Sequence, residues 1–201
     1  MGIEIELKLD FTPENLRRFR KWSGLRDISI QKPKRACLRA CYYDTSDWEL
    51  VKQKSSLRIR REYGKWVQTA KLALPSSNMS KRVEINWDIS SPNLDLGLET
   101  ENQDIRQALK SLHDKKIVEV FRTRIWRTAR ILRYKNSEIE LAIDSGHIFA
   151  GEKSVVVSEA ELELMSGNAE DLMDLAKEWQ QIFKFTIDGA SKAERGYKLA
   201  A

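Results

Sequence analysis

The chain has 201 residues, of which 41% are hydrophobic and 32% charged, a size that fits one domain and lets it bury roughly 70% of the surface of the unfolded chain. Its 35 Lys and Arg against 30 Asp and Glu leave a net charge of +5, which lacks the single-sign excess of a dedicated nucleic-acid binder, so nucleic acid is not the expected partner. The start Met1-Gly2-Ile3-Glu4 carries no basic and apolar leader, and no apolar run approaches the roughly 18 residues of a membrane helix, so a soluble, cytoplasmic protein with no membrane partner is expected.

In chain order, residues 3–9 alternate with period two, placing Ile3, Ile5, Leu7 and Leu9 on one face and Glu4, Glu6 and Lys8 on the other. Thr12 is a plausible N-cap, followed by Pro13 at the first helical position and by Leu16, Phe19 and Trp22 on one stripe, a helix ending near Gly24. Strands are expected at 57–61 and 66–72, joined by a hairpin at Tyr63-Gly64-Lys65, and at 82–89 after a longer connection at 74–78. Ile105, Ala108, Leu109 and Leu112 mark a second helix. Strands at 121–132, 138–144 and 155–164 follow, the first two joined at Asn136-Ser137. After Gly167 and Asn168, the positions Leu172, Leu175, Ala176, Trp179, Ile182 and Phe183 mark a third helix. Many strands with few helices and no dividing linker give a single α+β domain over 1–201 with a largely antiparallel sheet.

Each strand separates charge from apolar residues, and the charges are sorted by sign: Arg58 and Arg60 on one strand, Glu140 and Asp144 on another, Glu159, Glu161 and Glu163 on a third. Like charges side by side on a sheet face repel, and a solvated face gains by mixing signs, so the sorting points to binding duties. The three apolar helix faces most simply cover the sheet from outside and turn its charged face inward. A closed sheet of about eight strands has room for side chains and one ligand. Such an interior needs a charged occupant, because buried charges must be paired or coordinate ions. His113 and His147 are too few and scattered for a His-based metal site, and Cys37 and Cys41 read as reduced thiols. Clustered carboxylates suit magnesium or manganese, and clustered Arg and Lys suit phosphate oxygens.

The opening Glu4-x-Glu6-x-Lys8 resembles the hallmark strand of the CYTH domain, or triphosphate tunnel metalloenzyme, family. The resemblance continues through Tyr42-Tyr43-Asp44-Thr45, Leu57-Arg58-Ile59-Arg60, Gln68-Thr69-Ala70-Lys71, Arg82-Val83-Glu84, Phe121 with Thr123 and Arg127, Glu140 to Gly146, Glu159 to Leu164, and Ser191-Lys192. The segment from Ser191 to Tyr197 looks especially like that of bacterial inorganic triphosphatases. The chain departs from the family pattern at Arg130, where an aromatic residue is frequent, and at Asn86, where an acidic one is.

The resemblance implies a closed antiparallel eight-stranded β-barrel with a charged interior, covered outside by helices. It implies one or two Mg2+ or Mn2+ ions held by Glu4, Glu6, Glu159 and Glu161 with Asp144 assisting, and a small triphosphate gripped by Lys8, Arg58, Arg60, Lys71, Arg82, Arg127 and Lys192. Glu4, Glu6, Lys8, Asp144 and Glu161 would carry the chemistry; Glu84, Arg124, Glu140 and Glu163 form a second tier. The implied reaction is hydrolysis of inorganic tripolyphosphate to pyrophosphate and phosphate by metal-activated water. Hydrolysis of thiamine, nucleoside or RNA triphosphates, adenylyl cyclisation, and a non-catalytic polyphosphate-binding module stand as alternatives, and a monomer and a homodimer are equally open. Regular alternation would put Arg127 on the opposite face from Arg122 and Arg124, and only a bulge would reunite them.

Overall fold

The computed structural model describes residues 5–73, 82–187 and 189–201. Nine strands form one sheet in the order β5-β4-β3-β2-β6-β7-β8-β1-β9, with every paired neighbour antiparallel. The strands are β1 (Glu6–Phe11), β2 (Lys34–Thr45), β3 (Ser56–Glu62), β4 (Lys65–Ala73), β5 (Arg82–Ile89), β6 (Ile117–Tyr134), β7 (Ser137–Ala150), β8 (Lys153–Ser166) and β9 (Phe185–Ile187). The helices are α1 (Pro13–Lys21), α2 (Gly24–Asp27), α3 (Glu49–Lys52), α4 (Gln103–Ser111), α5 (Glu170–Gln180) and α6 (Lys192–Ala200). Among the described residues no ladder joins the edge strands β5 and β9. All of β1 to β8 nevertheless line one cavity of about 960 Å³, so the sheet wraps around a tunnel in the α+β arrangement expected, with β9 added at an edge.

Local chemistry explains most boundaries. Thr12 accepts a hydrogen bond from the Asn15 amide at 3.3 Å and Pro13 opens α1, while the helix stops at Lys21 and Gly24 starts the short α2. The β3–β4 hairpin turns on Tyr63 (φ 47°) and Gly64 (φ 86°), both in the left-handed region that a two-residue turn of this hand requires. Asn102 caps α4. Helix α5 ends at Gln180, so Ile182 falls beyond it and is exposed whereas Phe183 is buried.

The 12-residue β2 is absent from the periodicity. Ala36, Cys37 and Leu38, then Ala40 to Tyr43, put apolar residues on both faces, so alternation is lost although the strand lies between β3 and β6. The connection 74–78 lies outside the described residues.

The wall changes sides along its length. Over one half its outer face is apolar: Leu7, Leu9, Leu132, Ile139, Leu141, Ile143, Ala160 and Leu162 pack under α1 and α5, where Phe19 meets Trp179 and Phe183. Over the other half its inner face is apolar, with Leu38, Ala40, Tyr42, Phe121, Ile125, Ile148 and Val157 packed on Tyr197 of α6. Helix α6 thus lies inside the curve of the sheet, where helices on the outside alone were expected. Helix α4 covers β3 and β4 through Ile105, Leu109 and Leu112 on Leu57 and Ala70.

Candidate active site

Strand register sets the inward charges in rows. Glu6 pairs across to Glu163, which pairs to Glu140, so three carboxylates cross β1, β8 and β7 in one row. Lys8 stands opposite Glu161. In the next row Asp10, Glu159, Asp144 and Arg127 follow one another across β1, β8, β7 and β6. Further round the wall, separated by β2 and β6, Arg58 and Arg60 of β3, Lys71 of β4 and Glu84 of β5 line the same cavity.

Asp144 and Glu159 are fully buried, and a carboxylate oxygen from each, with one from Glu161, lies within 4.8 Å of the others. Three cations hold this cluster together. Arg127 donates from Nε to Asp144 Oδ1 at 2.8 Å and from Nη2 to Asp144 Oδ2 at 2.6 Å and Glu161 Oε2 at 2.7 Å. The Lys192 ammonium lies 2.7 Å from Asp144 Oδ2 and 2.9 Å from Glu161 Oε1 and also contacts Glu159. Arg195 reaches the other oxygen of Glu159.

Helix α6 delivers Lys192 and Arg195 from its N-terminal end. Ser191 caps it, accepting from the Glu194 amide at 3.1 Å while the Glu194 carboxylate accepts from the Ser191 amide at 2.7 Å. Gly196 lets the helix close onto Phe121: a Cβ there would overlap the ring. Lys192 and Arg195, three residues apart, then share a face toward Glu159.

The electrostatics follow from this packing. Burial works against ionisation of Asp144, but Lys192 and Arg127 outweigh it and hold the carboxyl below its ordinary range. Partial burial opposes the Glu161 charge too, yet Lys192, Arg127 and Lys8 depress its carboxyl strongly. For Glu159 burial prevails, reinforced by Glu161, and its carboxyl is pushed up. Burial opposes the Lys192 charge, but three carboxylates raise it well above the usual lysine value.

The basic side is looser. Arg58 donates to the Tyr42 hydroxyl at 3.3 Å and lies 3.5 Å from Glu84 Oε1, Lys71 is 3.1 Å from Glu84 Oε2, and Arg60 is 2.5 Å from Glu62. The Nε atoms of Arg58 and Arg60 are buried without a hydrogen-bond partner. Asn86 joins this side through Thr69, whose hydroxyl is 2.6 Å from Asn86 Oδ1.

The structure therefore brings together Glu6, Lys8, Arg58, Arg60, Lys71, Glu84, Arg127, Glu140, Asp144, Glu161, Glu163 and Lys192 around the cavity, with Glu159 buried behind it. Arg124 is a correction. Alternation along β6 is unbroken from Phe121 to Arg127, so Arg124 points outward with Arg122 while Thr123, Ile125 and Arg127 point in. Glu4 and the side chain of Arg82 lie outside the described residues. Lys192 and Arg127, expected to grip phosphate, are paired with carboxylates here. Arg195 escaped the sequence reading, although Ser191-x-x-Glu194 is a capping-box signature that would have put it on a helix three residues from Lys192.

The donor set fits a hard divalent cation: three carboxylates converge without His or Cys, and a cationic ammonium already stands among them. A cluster that could hold a metal thus shares one cavity with an arginine and lysine wall inside the curved sheet. A model of the CYTH domain matches residues 2–197. The chain belongs to the CYTH domain family.

Relatives of this CYTH chain are consistent with its fold. It is 33% identical to an inorganic triphosphatase of Haemophilus influenzae over 201 residues, covering 98% of this chain and 55% of the relative. The chain thus spans about half the length of the curated relative it matches. A Bacillus halodurans protein described as a candidate adenylate cyclase superposes with TM-score 0.61 at 21% identity, covering 96% of this chain and 97% of that one. A Hippeastrum protein, a candidate adenylyl cyclase described as having a dominant triphosphatase activity, superposes with TM-score 0.60 at 18% identity, covering 98% and 95%. No helix among the described residues is long and apolar enough to cross a membrane.

Proposed function

We propose that residues 1–201 act as one tunnel domain that hydrolyses a small triphosphate, inorganic tripolyphosphate foremost, with a divalent cation. One observation carries this: a single cavity joins the carboxylate cluster of Asp144, Glu159 and Glu161 to the basic wall of Arg58, Arg60 and Lys71. A short polyanion complexed with a cation satisfies both sides, whereas either partner alone would satisfy one. The 33% identical inorganic triphosphatase supports the choice of substrate.

Asp144, Glu159, Glu161 and Glu6 would hold the ion, and oxygen donors of this kind favour Mg2+ or Mn2+. When bound, the ion supplies charge neutralisation and an acidified water. The chain itself supplies position and charge. Arg58 and Arg60 present guanidinium forks to phosphate oxygens, and Lys8 and Lys71 add point charges. Arg127 keeps the Asp144 and Glu161 carboxylates ionised and fixed. Lys192, which neutralises the cluster here, becomes available to a phosphate oxygen once the carboxylates have another cation. Water is the simplest nucleophile, since the described residues show no Ser, Cys or His of the cavity lining set against a base as a nucleophilic pair.

The test measures phosphate release from tripolyphosphate, thiamine triphosphate, ATP and pyrophosphate with Mg2+, Mn2+ or chelator, while following cyclic AMP from ATP. Turnover of tripolyphosphate that chelator abolishes supports the proposal. Preference for another triphosphate, or cyclic AMP as the main product, replaces the substrate or the reaction; no turnover with any of them overturns it.

A further inference from the structure

The outer face of the wall behind α6 carries a strip of unneutralised arginines. In the register, Trp66 of β4 pairs with Arg61 of β3, Arg61 with Arg39 of β2, Arg39 with Arg124 of β6, Arg124 with His147 of β7, and His147 with Val156 of β8. Five strand spacings of about 4.8 Å make this a row about 24 Å long around the curved wall. Arg61, Arg39, Arg124 and His147 are all exposed. Arg61 lies over the Trp66 ring, 5.6 Å from its centroid, and none of the three arginines has an ion pair among the described residues. Like charges directly opposite one another destabilise a sheet, and among the described residues no carboxylate forms an ion pair with an arginine of this row.

Flat apolar groups flank it. Trp126 is 56% exposed one row to one side, and Phe149, 40% exposed beside His147, lies one row to the other. The expected helical cover is missing here for a structural reason: α6 took the inner face of these strands, and α1 and α5 cover only the other half of the outer face. The strip is independent of the cavity, whose lining residues alternate with these along the same strands. The net charge of +5 hides it, because the acidic side of the cavity cancels it in the sum.

We propose that this outer strip binds single-stranded RNA. The arginine row answers the phosphate backbone, and the exposed rings of Trp126 and Phe149 offer stacking platforms for bases, the combination by which sheet surfaces hold single strands. An acidic peptide would match the charge and leave the rings unused. This goes beyond the tunnel reaction and does not depend on it.

The experiment is fluorescence anisotropy of a labelled 5′-hydroxyl oligouridylate 12-mer, which has no triphosphate for the tunnel, in chelator and 50 to 300 mM KCl. Three phosphate contacts give a slope of log K against log salt of about −2. Arg39→Glu weakens binding at least tenfold, and Trp126→Ala weakens it several-fold with the slope unchanged. Both variants keep their circular dichroism and tripolyphosphate hydrolysis. The proposal is overturned if the wild type fails to bind at 50 mM KCl, if Arg39→Glu binds as tightly, if tripolyphosphate displaces the RNA at tunnel-saturating concentration, or if polyglutamate of equal length competes as well as unlabelled RNA.

Discussion

Arg127 grips Asp144 with two parallel hydrogen bonds, Nε to Oδ1 at 2.8 Å and Nη2 to Oδ2 at 2.6 Å, directly across the β6–β7 ladder. Asp144 is fully buried, so removing the guanidinium leaves its charge to Lys192 alone. Arg127→Ala is expected to cost about 3–5 kcal/mol in urea unfolding without metal, and added Mn2+ should recover part of that loss by supplying another cation. A cost below about 1 kcal/mol would show that Lys192 alone suffices for Asp144.

Glu6 separates chemistry from stability. Its carboxylate lines the cavity and makes no hydrogen bond or ion pair among the described residues. Glu6→Gln should therefore lower metal-dependent phosphate release at least a hundredfold and leave the melting temperature within a few degrees of wild type. An unchanged rate would remove Glu6 from the metal set.

Gly196 tests the seating of α6. In an isolated helix Gly→Ala gains about 1 kcal/mol, but here the added methyl would overlap the Phe121 ring. Overpacking of this kind costs about 1–3 kcal/mol, so the expected sign is destabilising, and a shifted Lys192 should lower turnover as well. Thermal unfolding and steady-state kinetics on Gly196→Ala read the two effects. A stabilised variant with full activity would show that α6 seats independently of Phe121.

Acid stability carries the signature of Glu84. Burial opposes its ionisation, but Arg58 and Lys71 outweigh it and hold the carboxyl below its ordinary range. A depressed folded value means that the contribution is present above the unfolded value of about 4.3 and is lost as pH falls through the lower folded one. Wild type should lose stability on acidification below about pH 4, and Glu84→Gln should lose less over the same interval. Parallel pH profiles in urea titrations would contradict the pairing.

The outer core predicts a larger loss. Phe19 is fully buried between Phe11, Trp179 and Phe183, so Phe19→Ala should cost about 3–5 kcal/mol, measured by equilibrium unfolding. A cost under about 1 kcal/mol would mean that α1 and α5 close over the gap.

The sequence by itself determined the strands whose two faces differ, because alternation survives wherever one face is buried and the other charged. That is why Glu6 with Lys8, Arg58 with Arg60, and Asp144 with Glu161 could be assigned to one interior from spacing and sign. The parity of Arg127 against Arg124, which the sequence left open between a regular and a bulged strand, was decided by the structure, where alternation runs unbroken from Phe121 to Arg127.

Tertiary structure decided what spacing does not encode. Strand β2 lost its alternation because Cys37 and Cys41 put apolar side chains on its outer face while Ala36, Leu38 and Ala40 fill the inner one. Helix α6 went inside the wall because Gly196 admits Phe121, and only that placement carries Lys192 and Arg195 to carboxylates more than thirty residues earlier in the chain. Cross-strand register, a property of pairing and not of any one segment, likewise aligned Arg61, Arg39 and Arg124 into a single row.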